Sequence, residues 1–346
     1  MAHSIVSWLL DEELLKQLMT GLPAYLLVVI IAASIAVLVK GANWMIDGVV
    51  DLAQRTGLPR IVIGATIVSL GTTTPEAFVS VMAAFMGNPG LALGNGVGSI
   101  IADTGLIFGL ICVLSRVPIQ RYILNRTGWV QVAAATLLVA IALLARWTTP
   151  AAPVLSRWVG LFFLLLLSLY LYITYRWARQ GGAQLLDERQ SSAEDLRTLP
   201  MCWFMLCGGL VLVIVAARVL IPGASEIAYR LGVPEDVIAA SLVALGTSLP
   251  ELITAIAAVR KGHPEIAVGN IVGADVLNCL FVIGAAAFAS PLAIPENFYH
   301  FHFPAMLLIL YSFRIFISAS RKDQFSRWQG AWLLCVYTAY VIRQYI

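Results

Sequence analysis

Apolar residues gather in long runs along this chain instead of alternating with polar ones, and ten of those runs are long enough to cross a bilayer. They fall near 24–46, 61–86, 90–114, 128–145, 158–175, 200–221, 236–259, 265–289, 303–318 and 328–344. About twenty apolar residues span a ~30 Å hydrocarbon layer as a helix. The longest polar interruption, Arg176 to Thr198, carries Gly181, Gly182, Asp187, Glu188, Arg189, Glu194 and Asp195, and divides the runs five and five. The pattern predicts an all-α integral membrane fold of ten transmembrane helices. An amphipathic segment over 1–23 precedes a five-helix half over 24–176; a cytoplasmic linker over 177–199 leads to a second five-helix half over 200–346.

Composition points the same way. Only 12% of residues are charged against 60% hydrophobic, with a mean hydropathy of +0.87. Soluble domains carry about twice that charged fraction, so the charge cannot coat a water-facing surface and a cytosolic enzyme is excluded. A net charge of +3, with no basic run of five residues, argues against a nucleic-acid partner. The five cysteines form no CxxC pair, and four of them lie in apolar runs, so neither a disulfide framework nor a zinc site is expected. His300 and His302 lack a third ligand nearby. The first residues lack the basic region and cleavage site of a signal peptide, and are expected to form a short helix.

Orientation follows from the basic residues. Sixteen of the 22 Lys and Arg fall in the connections after runs 1, 3, 5, 7 and 9. The positive-inside bias places those connections in the cytoplasm and both chain ends outside, in a bacterial inner membrane or plasma membrane.

Candidate chemistry lies in an internal repeat. Residues 64–109 align without a gap on 239–284, at a constant offset of 175, with 16 of 46 positions identical. Gly71, Thr72, Pro75, Glu76, Gly94, Asn95 and Gly98 recur as Gly246, Thr247, Pro250, Glu251, Gly269, Asn270 and Gly273. Five runs separate the copies, so the two halves are expected to cross the bilayer in opposite directions. In such inverted repeats the ion site lies near the midplane, at the repeat interface, in helices broken by Gly and Pro. A lone carboxylate within a span costs at least ~2.5–3.5 kcal/mol, so Glu76 and Glu251 are read as functional. Pro75 and Pro250 each free a carbonyl about one turn back, and Thr72, Thr73, Thr247 and Ser248 add hydroxyls. Such a set suits hard cations, of which Ca²⁺ takes six to eight oxygens. Twenty-seven residues after each Glu stands a further polar residue, Asp103 and Asn278. Ser99 is one turn before Asp103, and Asp275 is three residues before Asn278; Asp275 is left open between ligand and structural hydrogen bonding.

The motifs GTTTPE with GNGVGSIIAD, and GTSLPE with GNIVGADVLN, resemble the two alpha-repeats of the calcium/cation antiporter superfamily. The resemblance covers nearly the whole chain. It implies secondary active exchange of Ca²⁺ for Na⁺ by alternating access, with Glu76, Glu251, Thr72, Thr73, Thr247, Ser248, Asp103 and Asn278 around the cations and no cofactor beyond the transported ions. The implied partners are inorganic cations and the lipid bilayer, without an obligatory protein partner. The chain departs from the family pattern at Ala274 and Asp275, where GSN is usual, and in the reversed order of Asp103 and Asn278. A proton-coupled exchanger of Ca²⁺ or another divalent cation is the nearest alternative and a passive cation channel a remote one. An intramembrane enzyme finds no GxGD motif and no nucleophile–base pair.

Orientation yields a direct test. Single cysteines at Arg189 and Ser4, in a background without the native cysteines, should respond oppositely to an impermeant thiol reagent applied outside: Ser4→Cys is labelled and Arg189→Cys is protected. Labelling of the linker alone would overturn the assignment.

Overall fold

A computed structural model describes residues 12–185, 197–232, 248–320 and 323–344. Helix α1 (Glu12–Thr20) is short and turns Leu15 and Met19, one helical turn apart, into the protein. Helix α2 (Ala24–Thr56) outlasts its apolar run by ten residues and stops at Gly57, whose left-handed φ of 67° lets its N–H close on the Ala53 carbonyl. Next come α3 (Arg60–Thr72) and α4 (Thr74–Phe85), bent by 41° at their junction. They are followed by α5 (Pro89–Leu114), α6 (Arg121–Thr148), α7 (Arg157–Leu185) and α8 (Leu199–Arg230). The last four are α9 (Leu249–Arg260), α10 (Pro264–Ala289), α11 (Phe298–Ala319) and α12 (Arg327–Gln344).

Among the described residues seven helices are long and apolar enough to cross a membrane, eight if α3 and α4 form one broken span. Helix α12 has the length, at 18 residues, but its Arg and Gln residues dilute its hydropathy. Much of the run expected at 236–259 lies outside the described residues, as do Thr247 and residues 186–196 of the linker. Residues 181–185 continue α7, so helix runs past the boundary placed at 176.

Burial ranks the helices. The most apolar stretches of α5 and α10 are 72% and 83% buried within the protein, against 22% for α2 and 33% for α8. Thus α5 and α10 form the centre, and α2 and α8 turn most of their surface outward. At 33 and 32 residues these two are about 50 Å long, more than a straight crossing requires. Trp147 and Trp158, 81% and 78% exposed near helix ends, occupy positions typical of the aromatic belt at a membrane interface.

Sequence spacing recurs as structure. Helix α9 repeats α4 at the 175-residue offset, and the turns after them use Gly87 and Gly262, with φ of 75° and 78°. A proline opens the next helix in each case, Pro89 and Pro264, where its missing N–H costs nothing. Glycines also set how closely the centre packs. A Cβ on Gly269 would lie 2.1 Å from the Ile61 carbonyl oxygen, and one on Gly273 2.4 Å from that of Ala65, so α10 rests directly on the backbone of α3.

Connections gather at two ends. At one end Arg60 meets Glu265 at 3.3 Å, Lys261 meets Asp47 at 2.5 Å, Arg197 meets Asp51 at 2.9 Å, and Arg121 pairs with Asp323. At the other, the two-residue strands β1 (Val154–Leu155) and β2 (Leu292–Ala293) pair antiparallel, and Arg146 meets Glu296 at 2.5 Å. These pairs are partly exposed and each is worth ~0–1 kcal/mol; their value here is as markers of which connections share an end.

The α3–α10 contact makes a sharp prediction. Gly269→Ala and Gly273→Ala should each destabilise the protein by ~1–3 kcal/mol or more, the usual range for overpacking, read as a lowered midpoint in a thermal unfolding assay in detergent. An unchanged midpoint would show that α3 and α10 can separate freely.

Candidate functional site

The broken helix and the central pair build the site. Thr73 ends α3 with φ −84° and ψ −6°, and Pro75 and Glu76 stand in the first turn of α4. Ser248 occupies the same position before α9, followed by Pro250 and Glu251. Each proline lacks an N–H and so suits the start of a new helix, leaving the Glu one residue further at a terminus whose free N–H groups favour negative charge. Both glutamates are 1% exposed.

The second pair of polar residues stands where the central helices change their winding. Helix α5 turns π-helical over Ala102–Phe108 and α10 over Asn278–Val282. Asp103 is the second residue of the first π segment and Asn278 the first of the other. A π turn inserts an extra residue into the helix and is frequent at functional sites. Asn278 Nδ2 donates to Asp103 Oδ2 at 3.5 Å, so the two residues that the repeat equates face each other.

Electrostatic and polar neighbours join the two copies. The Glu76 carboxyl interacts with those of Glu251 and Asp103, the Glu251 carboxyl lies beside Thr72 and Thr73, and Asp103 lies beside Ser248. Buried oxygens without a hydrogen-bond partner belong to this set: Thr73 Oγ1, Glu76 Oε2, Ser99 Oγ, Asp103 Oδ1, Ser248 Oγ, Glu251 Oε2 and Asn278 Oδ1. Leaving one such group unsatisfied costs ~1–3 kcal/mol, and several together form a surface of hard oxygens suited to cations. Among the described residues no three His, Cys, Asp or Glu side chains converge as one metal cage. The oxygens are distributed instead over neighbouring positions, with hydroxyls between the carboxylates.

Asp275 is held differently. Its Oδ2 accepts from Thr104 Oγ1 and, at 2.5 Å, from Gln131 Nε2, which also reaches Thr104 Oγ1 at 3.3 Å. The carboxylate is thereby fixed against α6 and the first π segment, while Oδ1 has no partner.

Three further contributions escaped the sequence reading. Asn95 Nδ2 donates to the Glu76 carbonyl at 3.1 Å and to Ser80 Oγ at 2.9 Å, anchoring α4 on α5. Its counterpart Asn270 donates to Thr254 Oγ1 at 3.3 Å and meets Thr72 Oγ1 at 3.4 Å across the copies; recurrence of GN in both copies was the available signal. Gln131 lies outside the repeat and gave none beyond being polar in an apolar run. Arg218, a basic residue inside the apolar run 200–221, stands within α8, and its positive charge acts on the Glu76 carboxyl.

The Gln131 contact is testable by a double-mutant cycle. Gln131→Leu should lower stability by ~1–3 kcal/mol by stripping a donor from a buried carboxylate. The same change should cost much less in an Asp275→Leu background, where no carboxylate needs it. Equal costs in the two backgrounds, measured by thermal unfolding, would show that the pair is not coupled.

Comparison with known proteins agrees with this arrangement. The profile of the family described as "Sodium/calcium exchanger protein" matches residues 26–176 and 201–346. Inner membrane protein YrbG of Escherichia coli K12 is 33% identical over 284 residues, covering 81% of this chain and 85% of that protein. The sodium/calcium exchanger MaX1 of Methanosarcina acetivorans is 28% identical over 347 residues, covering 90% and 97%. A solved structure of the sodium-calcium exchanger NCX_Mj superposes with a TM-score of 0.78 at 25% identity, covering 92% of this chain and 99% of that one. With a family match over nearly its whole length, a transporter fold and apolar membrane-crossing helices, the chain is a multi-pass integral membrane protein of the sodium/calcium exchanger family, within the calcium/cation antiporter superfamily.

Proposed function

We propose that this protein exchanges Ca²⁺ for Na⁺ by alternating access, with the cations held between the repeats by Glu76, Glu251, Asp103, Asn278, Thr72, Thr73 and Ser248, and with Thr247 and Ser99 completing the set. The observation that carries the reading is the meeting of buried, unpartnered oxygens from both copies, with Glu76, Glu251 and Asp103 in electrostatic contact. Distribution of those oxygens over adjacent positions, with hydroxyls between them, suits several monovalent ions in one state and a divalent ion in the other. Asp275, gripped by Thr104 and Gln131, adds negative charge beside Asp103 and is assigned a supporting place, not a ligand's.

The proposed architecture is ten spans in two inverted halves of five, with the odd-numbered connections in the cytoplasm and both ends outside. Contacts between connections support it. Arg121–Asp323 joins the connections after spans 3 and 9, and Arg60–Glu265 those after spans 1 and 7. The β1–β2 pair and Arg146–Glu296 join those after spans 4 and 8. Each of these pairs links connections of the same parity, as an even alternation across a membrane requires; one miscounted span between the partners would have paired odd with even.

Charge counting turns the reading into experiments. With Glu76, Glu251 and Asp103 ionised the shared set carries −3, which three Na⁺ neutralise and one Ca²⁺ leaves at −1. In proteoliposomes, radiocalcium uptake should require an opposing Na⁺ gradient. Uptake driven by a proton gradient alone would establish the proton-coupled reading instead, and uptake without any gradient of a second ion would establish a channel. Glu76→Gln and Glu251→Gln should each lower exchange at least ~100-fold with the protein still folded, because each removes a charged ligand that nothing at the midplane replaces. Asp103→Asn should weaken Na⁺ binding more than Ca²⁺ binding, and adding Asn278→Asp should restore much of the flux. An inert Asp103→Asn, or a double variant no better than the worse single one, would remove this pair from the site.

A further inference from the structure

Away from the ion site, a groove runs along the outer surface between α6 and α7. Its upper part, about 660 Å³, is bordered by Asn125, Arg126, Trp129 and Trp177. The part below it, about 290 Å³, is walled by apolar side chains that include Leu137, Leu166 and Leu280. Val130, Ala133 and Trp177 border both parts, so the groove is continuous from a basic, aromatic head to an apolar tail.

The head carries positive charge that the protein does not neutralise. Among the described residues neither Arg126 nor Arg314 lies within ion-pair distance of a carboxylate. The Arg126 guanidinium stacks 3.9 Å from the Tyr122 ring and 5.9 Å from Trp177. Arg314, only 7% exposed, stands behind the wall: its guanidinium lies 4.5 Å over the Trp129 ring, Nη1 donates to Asn125 Oδ1 at 3.3 Å, and the buried Nε has no hydrogen-bond partner. Ring faces attract a cation without discharging it, and a guanidinium matches phosphate geometry. Arg126 begins the second turn of α6 and Arg314 stands about one and a half turns before the end of α11, at the depth where tryptophans and basic residues meet lipid headgroups.

We propose that this groove is a binding site for one anionic phospholipid, with its phosphate on Arg126, the buried Arg314 behind Trp129 adding to the positive field there, and an acyl chain laid along Ala133, Leu137 and Leu280. Charge complementarity at the head and the unbroken apolar path below it specify a lipid over a soluble anion. Leu280 belongs to the π segment that begins at Asn278, so the acyl chain rests against the outer side of the helix that presents a site residue. The assignment concerns lipid binding alone and stands whichever ions the protein exchanges.

The test is retention of lipid by the full-length protein in native mass spectrometry, from micelles containing phosphatidylglycerol and phosphatidylcholine of matched acyl chains. Phosphatidylglycerol should be retained about 30-fold over phosphatidylcholine, the equivalent of about 1 kcal/mol for each arginine. Arg126→Gln with Arg314→Gln should bring the ratio close to parity, and Arg126→Lys with Arg314→Lys should keep most of it. Ala133→Trp, which fills the groove without touching either arginine, should abolish retention of both lipids. Equal retention of the two lipids by the unmodified protein would overturn the proposal without recourse to any variant. So would an undiminished preference in the double Gln protein, or displacement of phosphatidylglycerol by inorganic phosphate, which would reduce the site to an anion site without an acyl groove.

Discussion

Mutual repulsion among carboxylates held out of water is the constraint around which this molecule is arranged. Glu76, Glu251, Asp103 and Asp275 are each 1% exposed, and water cannot screen them. In a low-dielectric interior such charges interact far more strongly than at a surface. The protein keeps them in place by holding their backbones and flanks: a proline-started helix end beneath each glutamate, Asn95 on the Glu76 carbonyl, and Thr104 with Gln131 on one oxygen of Asp275. Among the described residues little positive charge is supplied from within: the charge of Arg218 on α8 is the weakest of the influences felt by Glu76. What is left over is a group of oxygens that gains by holding cations.

How much of this could be read from residues alone depended on whether side chains or backbone carried the information. Glu76, Asp103, Glu251 and Asn278 stood out because a polar residue in an apolar run is costly, and recurrence at one offset removed coincidence. Helix length was less legible: α2 continues through Lys40, Asp47 and Asp51 to Thr56, because amphipathic turns beyond the apolar run still pack on one face, and only Gly57 ends them. The π segments could not be foreseen, since an extra residue in a turn leaves no mark in a run of Ile, Leu, Ala and Gly. Nor could the Gln131–Asp275 contact, which joins the second copy to a helix outside either repeat.

Symmetry in sequence has not produced symmetry in detail. Asn95 binds a backbone carbonyl and Ser80, whereas Asn270 binds Thr254 and reaches across to Thr72. Ser80 and Thr254 are not equivalent positions, since Ala255 and Val79 face them in the alignment, so each copy has found its own hydroxyl for the same asparagine. The acid of the Asp103–Asn278 pair and the additional acid at Asp275 fall in different copies as well. Two related scaffolds thus present the same number of acids at different positions, Asp103 opposite Asn278 and Asp275 opposite Ile100 in the alignment, so their charge is unevenly placed about the repeat axis.

The distribution of these acids between the halves bears on how the chain is made. Glu76 and Asp103 belong to the first half, Glu251 and Asp275 to the second, so neither half brings all the repulsion with it into the membrane. The full burden arises only when α10 settles on α3 and the halves close. Any ion that binds the closed form and not the separated halves favours closure by mass action. An ion held by these acids would therefore double as an assembly factor, and without it newly made copies would close their halves less readily.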